Sequence, residues 1–170
     1  METLLRVDDR ELLRALDALD SRTARPAADP VLGRGMSRAA DAYSAFLRRR
    51  FRANGAGSWA PLADSTRRGK SRKGTAAKGT LRGDSDRLYS SLDPSSPDHL
   101  RRLTPDGIQV ASAVPYLIHH QIGTDIMSAR EVFVPPDATA QAEVDGELEA
   151  AVGELVASIF GEGATRGRGN

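Results

Sequence analysis

Cysteine is absent from this 170-residue chain, which excludes a disulfide framework, a zinc–thiolate site and thiol catalysis. Long apolar runs are missing too. The least polar stretch, Ile108 to Ile118, is interrupted by Gln109, Ser112 and Pro115, well short of the roughly 20 residues needed to span a bilayer. The N-terminus sets Glu2, Asp8, Asp9 and Glu11 among its leucines, so it has neither the basic start nor the apolar centre of a secretory signal. A cytoplasmic site of synthesis and no membrane role are the expectations. Aromatic residues are scarce at 5%, with a single tryptophan, and there are only three histidines. At this length one domain is expected, held by packing, hydrogen bonds or neighbouring subunits.

Charge is plentiful but segregated. The net value of +1 hides a balance of +10 over residues 34–102 and −9 over residues 103–164. Such blocks can pair within one fold, pair between subunits, or steer a charged polymer.

Residues 1–30 read as an N-terminal helix and linker. Asp8 or Asp9 serves as cap, Leu12, Leu13, Leu16 and Leu19 follow at helical spacing, and Pro26 and Pro30 end the segment. A longer helix follows, with Val31, Met36, Ala39, Ala40, Tyr43, Phe46, Leu47 and Phe51 on one stripe and Arg34, Arg38, Arg48, Arg49 and Arg52 opposite, closed by Asn54-Gly55. Residues 55–83 turn to Gly, Ser, Thr, Arg and Lys, and read as a long mobile basic loop. Asp84 is placed to cap a short helix with Leu88 and Leu92. A hairpin is predicted from Leu100–Leu103, the turn Pro105-Asp106-Gly107, and Ile108–Ser112 in alternation. A short helix over Tyr116–Gln121 is closed by Gly123, Val132–Val134 is extended, and a last helix runs from Asp137 to Phe160. Residues 31–160 thus form the main domain and 161–170 a disordered tail. The fold class is α+β: helices packed on a small antiparallel sheet, with the basic loop as an insertion.

Catalytic readings fail one by one. Gly69-Lys70-Ser71 matches the end of a phosphate-binding loop, but Asp64 stands where that loop needs a glycine, and no strand precedes it. His119 and His120 are adjacent, so on a helix they diverge by about 100° and do not close on one metal. His119 is expected to be packed and hydrogen-bonded instead. No nucleophile elbow is present. No catalytic residue, cofactor or metal is therefore expected.

The basic segment is the better lead. Arg67, Arg68, Lys70, Arg72, Lys73, Lys78 and Arg82 follow one another with no acid between them, suited to acidic protein surface or to a phosphate backbone. The stretch lacks interleaved aromatics, so stacking on single-stranded bases is not expected. Protein is the expected partner and DNA contact the alternative.

The order of these features resembles a known family. A helix ending in Phe51, then Trp59-Ala60-Pro61-Leu62, Leu81 with Gly83, Leu88, a hairpin, Tyr116-Leu117-Ile118-His119-His120-Gln121-Ile122-Gly123 and Ala129-Arg130 resemble the phage virion-morphogenesis, or tail-completion, family typified by the G protein of phage Mu and the S protein of phage P2. The resemblance spans residues 39–160. This chain departs from the family pattern in having Asp84-Ser85-Asp86 after Gly83, Leu117 at an alanine position and Glu131 in place of a proline. The resemblance implies a non-enzymatic virion protein that joins the tail to the head at the neck. It also implies a ring-shaped homo-oligomer in contact with other neck, connector and tail-tube or tail-terminator proteins. On that reading Trp59 and Leu62 are apolar anchors of the docking loop, the seven cations line the interface, and Tyr116, His119, Gly123 and Arg130 brace the fold. The +10 and −9 segments supply complementary faces to successive subunits.

Overall fold

A computed structural model describes residues 9–83, 85–104 and 107–166. It is mostly helical, with one two-stranded antiparallel hairpin packed against the helices, an α+β fold. The elements in chain order are α1 (Asp9–Thr23), α2 (Pro30–Arg52), α3 (Asp64–Arg72), α4 (Arg87–Ser90), β1 (His99–Thr104), β2 (Gly107–Ser112), α5 (Leu117–Ile122) and α6 (Ala138–Arg166).

Asp29 sets the start of α2. Its carboxylate accepts the backbone N–H groups of Val31 at 2.8 Å and Leu32 at 3.0 Å, and Pro30 fills the first helical position, where no N–H is needed. Arg22 at the end of α1 donates to the same carboxylate at 2.6 Å. That hydrogen bond is the main reason the buried Asp29 carboxyl is held below its ordinary range.

Helix α2 then packs along α6. The close approach depends on Gly35, where a Cβ would fall inside the radius of the Ala151 Cβ. Leu32, Ala151 and Leu155 are buried at this crossing, with Leu19, Val31 and Ile159 around them. Ion pairs flank it: Arg38 with Glu147 at 2.7 Å and Glu154 at 3.3 Å, and Arg49 with Glu143 at 2.7 Å. The cationic side of α2 and the glutamates of α6 therefore meet within one subunit. This corrects the expectation that they face successive subunits, because the antiparallel contact itself brings the two charged rows together.

The larger core joins Phe46, Leu47 and Phe51 of α2 to Trp59, Leu88, Leu92, Val114, Val132 and Ala140. Leu47 and Leu92 are each 1% exposed, and each contributes about 1.5–3 kcal/mol through burial. The hairpin pairs Leu100 with Ala111, Leu103 with Ile108 and Thr104 with Gly107. Pro105, Asp106 and the proposed cap Asp84 lie outside the described residues. Arg101 ties β1 to α2 through Asp41 at 2.9 Å.

Two expectations are corrected here. Residues 55–83 are not one long loop: they hold α3 and two 3-10 turns, Gly55–Gly57 and Ala76–Lys78. Helix α3 buries no residue, so no apolar stripe marked it in the sequence. It forms with Asp64 in its first turn and Lys70 and Arg72 in its last, the arrangement the helix dipole favours. At the other end, the helical backbone of α6 continues through Arg166, past the predicted stop at Phe160.

Gly35→Ala should push α2 away from α6 and destabilise the protein by about 1–3 kcal/mol. Thermal unfolding followed by circular dichroism checks this. An unchanged midpoint would show that the two backbones are free to separate.

Candidate functional site

Part of the set of residues that carries the resemblance, Trp59, Ala60, Pro61, Gly123, Ala129 and Arg130, meets at one place behind the end of α2. Asn54 and Gly55 take left-handed backbone angles, φ 51° and 72°, and turn the chain so that Trp59 folds back onto Phe51 edge to face at 5.2 Å. The Trp59 indole N–H donates to the Glu131 carbonyl at 3.0 Å. Arg130 answers from the other side: its Nε and Nη2 donate to the carbonyls of Ala60 and Pro61, both at 3.1 Å, and its Nη1 to Ser128 at 3.4 Å. Trp59 is 9% exposed and Arg130 6%. The strap 59–61 and the segment 128–131 thus clamp each other reciprocally. A buried guanidinium is tolerated there because carbonyl dipoles satisfy its fork.

Helix α5 supports the clamp. The His120 carbonyl accepts the Arg130 backbone N–H at 2.7 Å. Gly123 ends α5 at φ 78°, and a Cβ there would lie 2.9 Å from Ala129 N and from Met127 O, so the returning chain requires glycine. Gln121 takes the place of a strand partner. Its Oε1 accepts the N–H groups of Val132 and Phe133, both at 3.0 Å, and its Nε2 donates to the Phe133 carbonyl at 2.7 Å. The motif Tyr116–Gly123 contains Gln121, but nothing in its spacing points to this role. The only signal in the sequence is an amide side chain two residues before the closing Gly123, on a short helix otherwise made of Leu, Ile and His.

Several anticipated roles change. Trp59 belongs to the core and is not a free docking anchor, because its ring is needed to cover Phe51. Leu62 is half-buried. His119 is exposed, not packed, because the six-residue α5 turns His120 inward instead. His120 meets the edge of the Tyr116 ring at 6.0 Å, and its Nδ1 is buried with no hydrogen-bond partner among the described residues. Burial first, then the charges of Arg130 and His119, push the His120 imidazole below its ordinary value of 6.5. Tyr116 is 40% exposed, and its ring meets His120.

The basic segment makes its hydrogen bonds within the subunit. Lys70 turns its amine onto the carbonyls of Gly79, Thr80 and Arg82, and Asn54 accepts the Thr80 N–H at 2.7 Å. Arg82 pairs with Asp86 at 2.9 Å and lies over the Tyr89 ring at 4.6 Å. Lys78 reaches the same Asp86 at 3.6 Å, and Arg67 pairs with Asp64 at 2.9 Å. Arg68, Arg72 and Lys73 are exposed on α3 and the turn after it. Gly69-Lys70-Ser71 lies inside a helix, so it cannot wrap a phosphate. Among the described residues no group of three or more His, Asp or Glu is placed to hold a metal, and no helix is long and apolar enough to cross a membrane.

No protein-family model, curated protein or solved structure matches this chain.

Trp59→Ala should cost about 3–5 kcal/mol through the cavity it leaves, whereas Trp59→Phe, which removes the Glu131 hydrogen bond but keeps an aromatic ring, should cost less. Urea unfolding separates the two, and equal losses would show that the hydrogen bond and not the packing holds the strap. Because the folded His120 resists protonation, stability should be full above about pH 6.5 and decline as the pH falls through that value and then through the folded pKa of His120. That window lies above the one for Asp29, whose carboxyl has a lowered pKa and whose contribution is lost below 3.8. Melting curves at pH 7.5 and 5.5 for the wild type and His120→Phe test this. An equal fall in both would show that His120 plays no part.

Proposed function

We propose that this chain is a non-catalytic structural subunit of a tailed-phage particle, or of a prophage-derived relative, that joins the finished tail to the head at the neck. It acts without cofactor or metal as a ring of identical copies, in contact with connector and tail-tube or tail-terminator proteins, and is assembled in the bacterial cytoplasm. The observation that carries this reading is the brace. Pieces of the family pattern about 70 residues apart in sequence, Trp59-Ala60-Pro61 and Ala129-Arg130, bond to each other, with Gly123 closing the loop between them. This supports a shared architecture over a chance resemblance of short motifs, since unrelated fragments have no reason to meet. Surfaces outside the brace, the α3 arm among them, are left for partners.

Deleting the gene from a producing phage or prophage should leave DNA-filled heads and finished tails separate, counted by negative-stain microscopy. Joined, infectious particles in normal numbers would end the proposal.

A second reading, a DNA-binding module on the packaged or passing genome, is favoured by α3, which exposes Arg68 and Arg72 on one short basic helix. Arg68→Glu combined with Arg72→Glu should leave the fold intact, since neither side chain is buried. If DNA is the partner, the pair should abolish retention on duplex DNA, and wild-type retention should fall steeply with salt. Retention on purified tails that survives both changes supports the neck reading instead.

A further inference from the structure

The sheet has only two strands among the described residues, and the outer edge of β2 borders a groove. Ala113 N–H donates to the Asp98 carbonyl at 2.8 Å. With the observed register, bonded pairs alternate from there, so the N–H and C=O groups of Ile108, Val110 and Ser112 point away from β1. No described residue bonds to them. Three open pockets of about 460, 380 and 440 Å³ lie along this edge. The first two share Tyr43 and Val110, and the last two share Ser112, Leu117 and Phe133, so they form one groove from Gly107 to Pro115. No charged residue lines any part of it.

The chain does not close this gap itself, because the far wall, Phe133–Pro136, has little to pair with. Gln121 already holds the N–H and C=O of Phe133, and Tyr43 donates to the Val134 carbonyl. Pro135 and Pro136 have no N–H, and neither has Pro26, which borders the Gly107 end. The unpaired row on β2 is met in full by another backbone, with donors and acceptors at the same two-residue period. A charged side chain entering an uncharged groove loses hydration without gaining a partner. Two conditions therefore define the occupant. It is extended, so that its backbone bonds to β2, and it is uncharged, with every second side chain apolar and turned toward the floor that includes Met36 and Leu148. Within this chain β1 and β2 pair with each other and Gln121 holds Val132 and Phe133, so these extended segments are already engaged.

We infer that the outer edge of β2 takes up, as a third strand, an extended and uncharged segment of a different protein, with apolar side chains at alternate positions. At about 3.3 Å per residue, the stretch from Gly107 to Pro115 spans roughly 30 Å, room for a segment of about nine residues. Nothing in this pairing requires the neck reading, and its failure leaves that reading standing.

A library of random peptides of about nine residues, panned against the full chain, tests this. The peptides retained should be uncharged, alternate in apolar residues and lack interior proline. The tightest of them, added to the isotope-labelled full chain, should shift the amide signals of Ile108, Val110 and Ser112 and slow their exchange with solvent. N-methylation of the alternate peptide residues that face β2 should weaken binding at least about tenfold, through lost backbone hydrogen bonds. The same change in the other set, which faces Pro135 and Pro136, should have little effect. Retention of no peptide, equal effects of the two sets, or shifts confined to α1 and α3 would overturn the pairing. So would amides of Ile108, Val110 and Ser112 that are already protected in the chain alone. Protection independent of concentration would show that the chain fills its own groove, and protection that rises with concentration would show that a second copy does.

Discussion

Arg130 is a buried guanidinium partnered by backbone carbonyls, and most of what positions the surface of this subunit depends on it. By holding Ala60 and Pro61 it fixes the strap that presses Trp59 onto Phe51. Its own backbone hangs from the His120 carbonyl, which places Glu131 to accept the indole N–H. The next residues, Val132 and Phe133, are held by Gln121, and the Val134 carbonyl then receives the Tyr43 hydroxyl from α2 at 2.8 Å. One chain of hydrogen bonds therefore runs from the strap through α5 and the extended segment back to the long helix. Its members are single side chains serving irregular backbone, the role that a sheet would play elsewhere, so losing one leaves buried N–H or C=O groups unmet.

The parts of the fold with a strong period were readable in advance. The stripe of α2, the alternation in Ile108–Ser112 and the glycine at the end of α5 each follow from local geometry, and the structure places them within a residue or two of expectation. Helix α3 was hidden because it is held by its terminal charges and by Lys70 bonding to Gly79 and Arg82, none of which leaves an apolar pattern. The brace was half legible. Its residues stood out as motif pieces, but their roles depend on contacts some 70 residues apart. A tryptophan in a Gly/Ser-rich stretch gives no sign of whether it faces outward or folds back. The left-handed turn at Asn54 and Gly55 decides that, and Asn-Gly in the sequence signals no more than a helix stop.

The internal pairing of α2 with α6 also bears on how copies of this chain can meet. Arg38 and Arg49 have their glutamates at 2.7 Å within the subunit, and Arg82 and Lys78 share Asp86. To form across an interface, those pairs would first have to break, and for the surface pairs of Arg38 and Arg49 that exchanges one ion pair for another of similar small worth. Uncharged surface carries no such exchange. Ile122 is 70% exposed and Ile126 98%, Leu13 on α1 is 60% exposed, and the groove beside β2 has no charged lining. Covering any of these removes apolar area from water without breaking an existing bond. The edge of β2 adds backbone groups that gain hydrogen bonds in the same event. Segregated charge in this sequence therefore helps to build the subunit, and on the proposed ring the surfaces that can bind a neighbour without breaking an internal ion pair are the apolar ones and the exposed cations of α3.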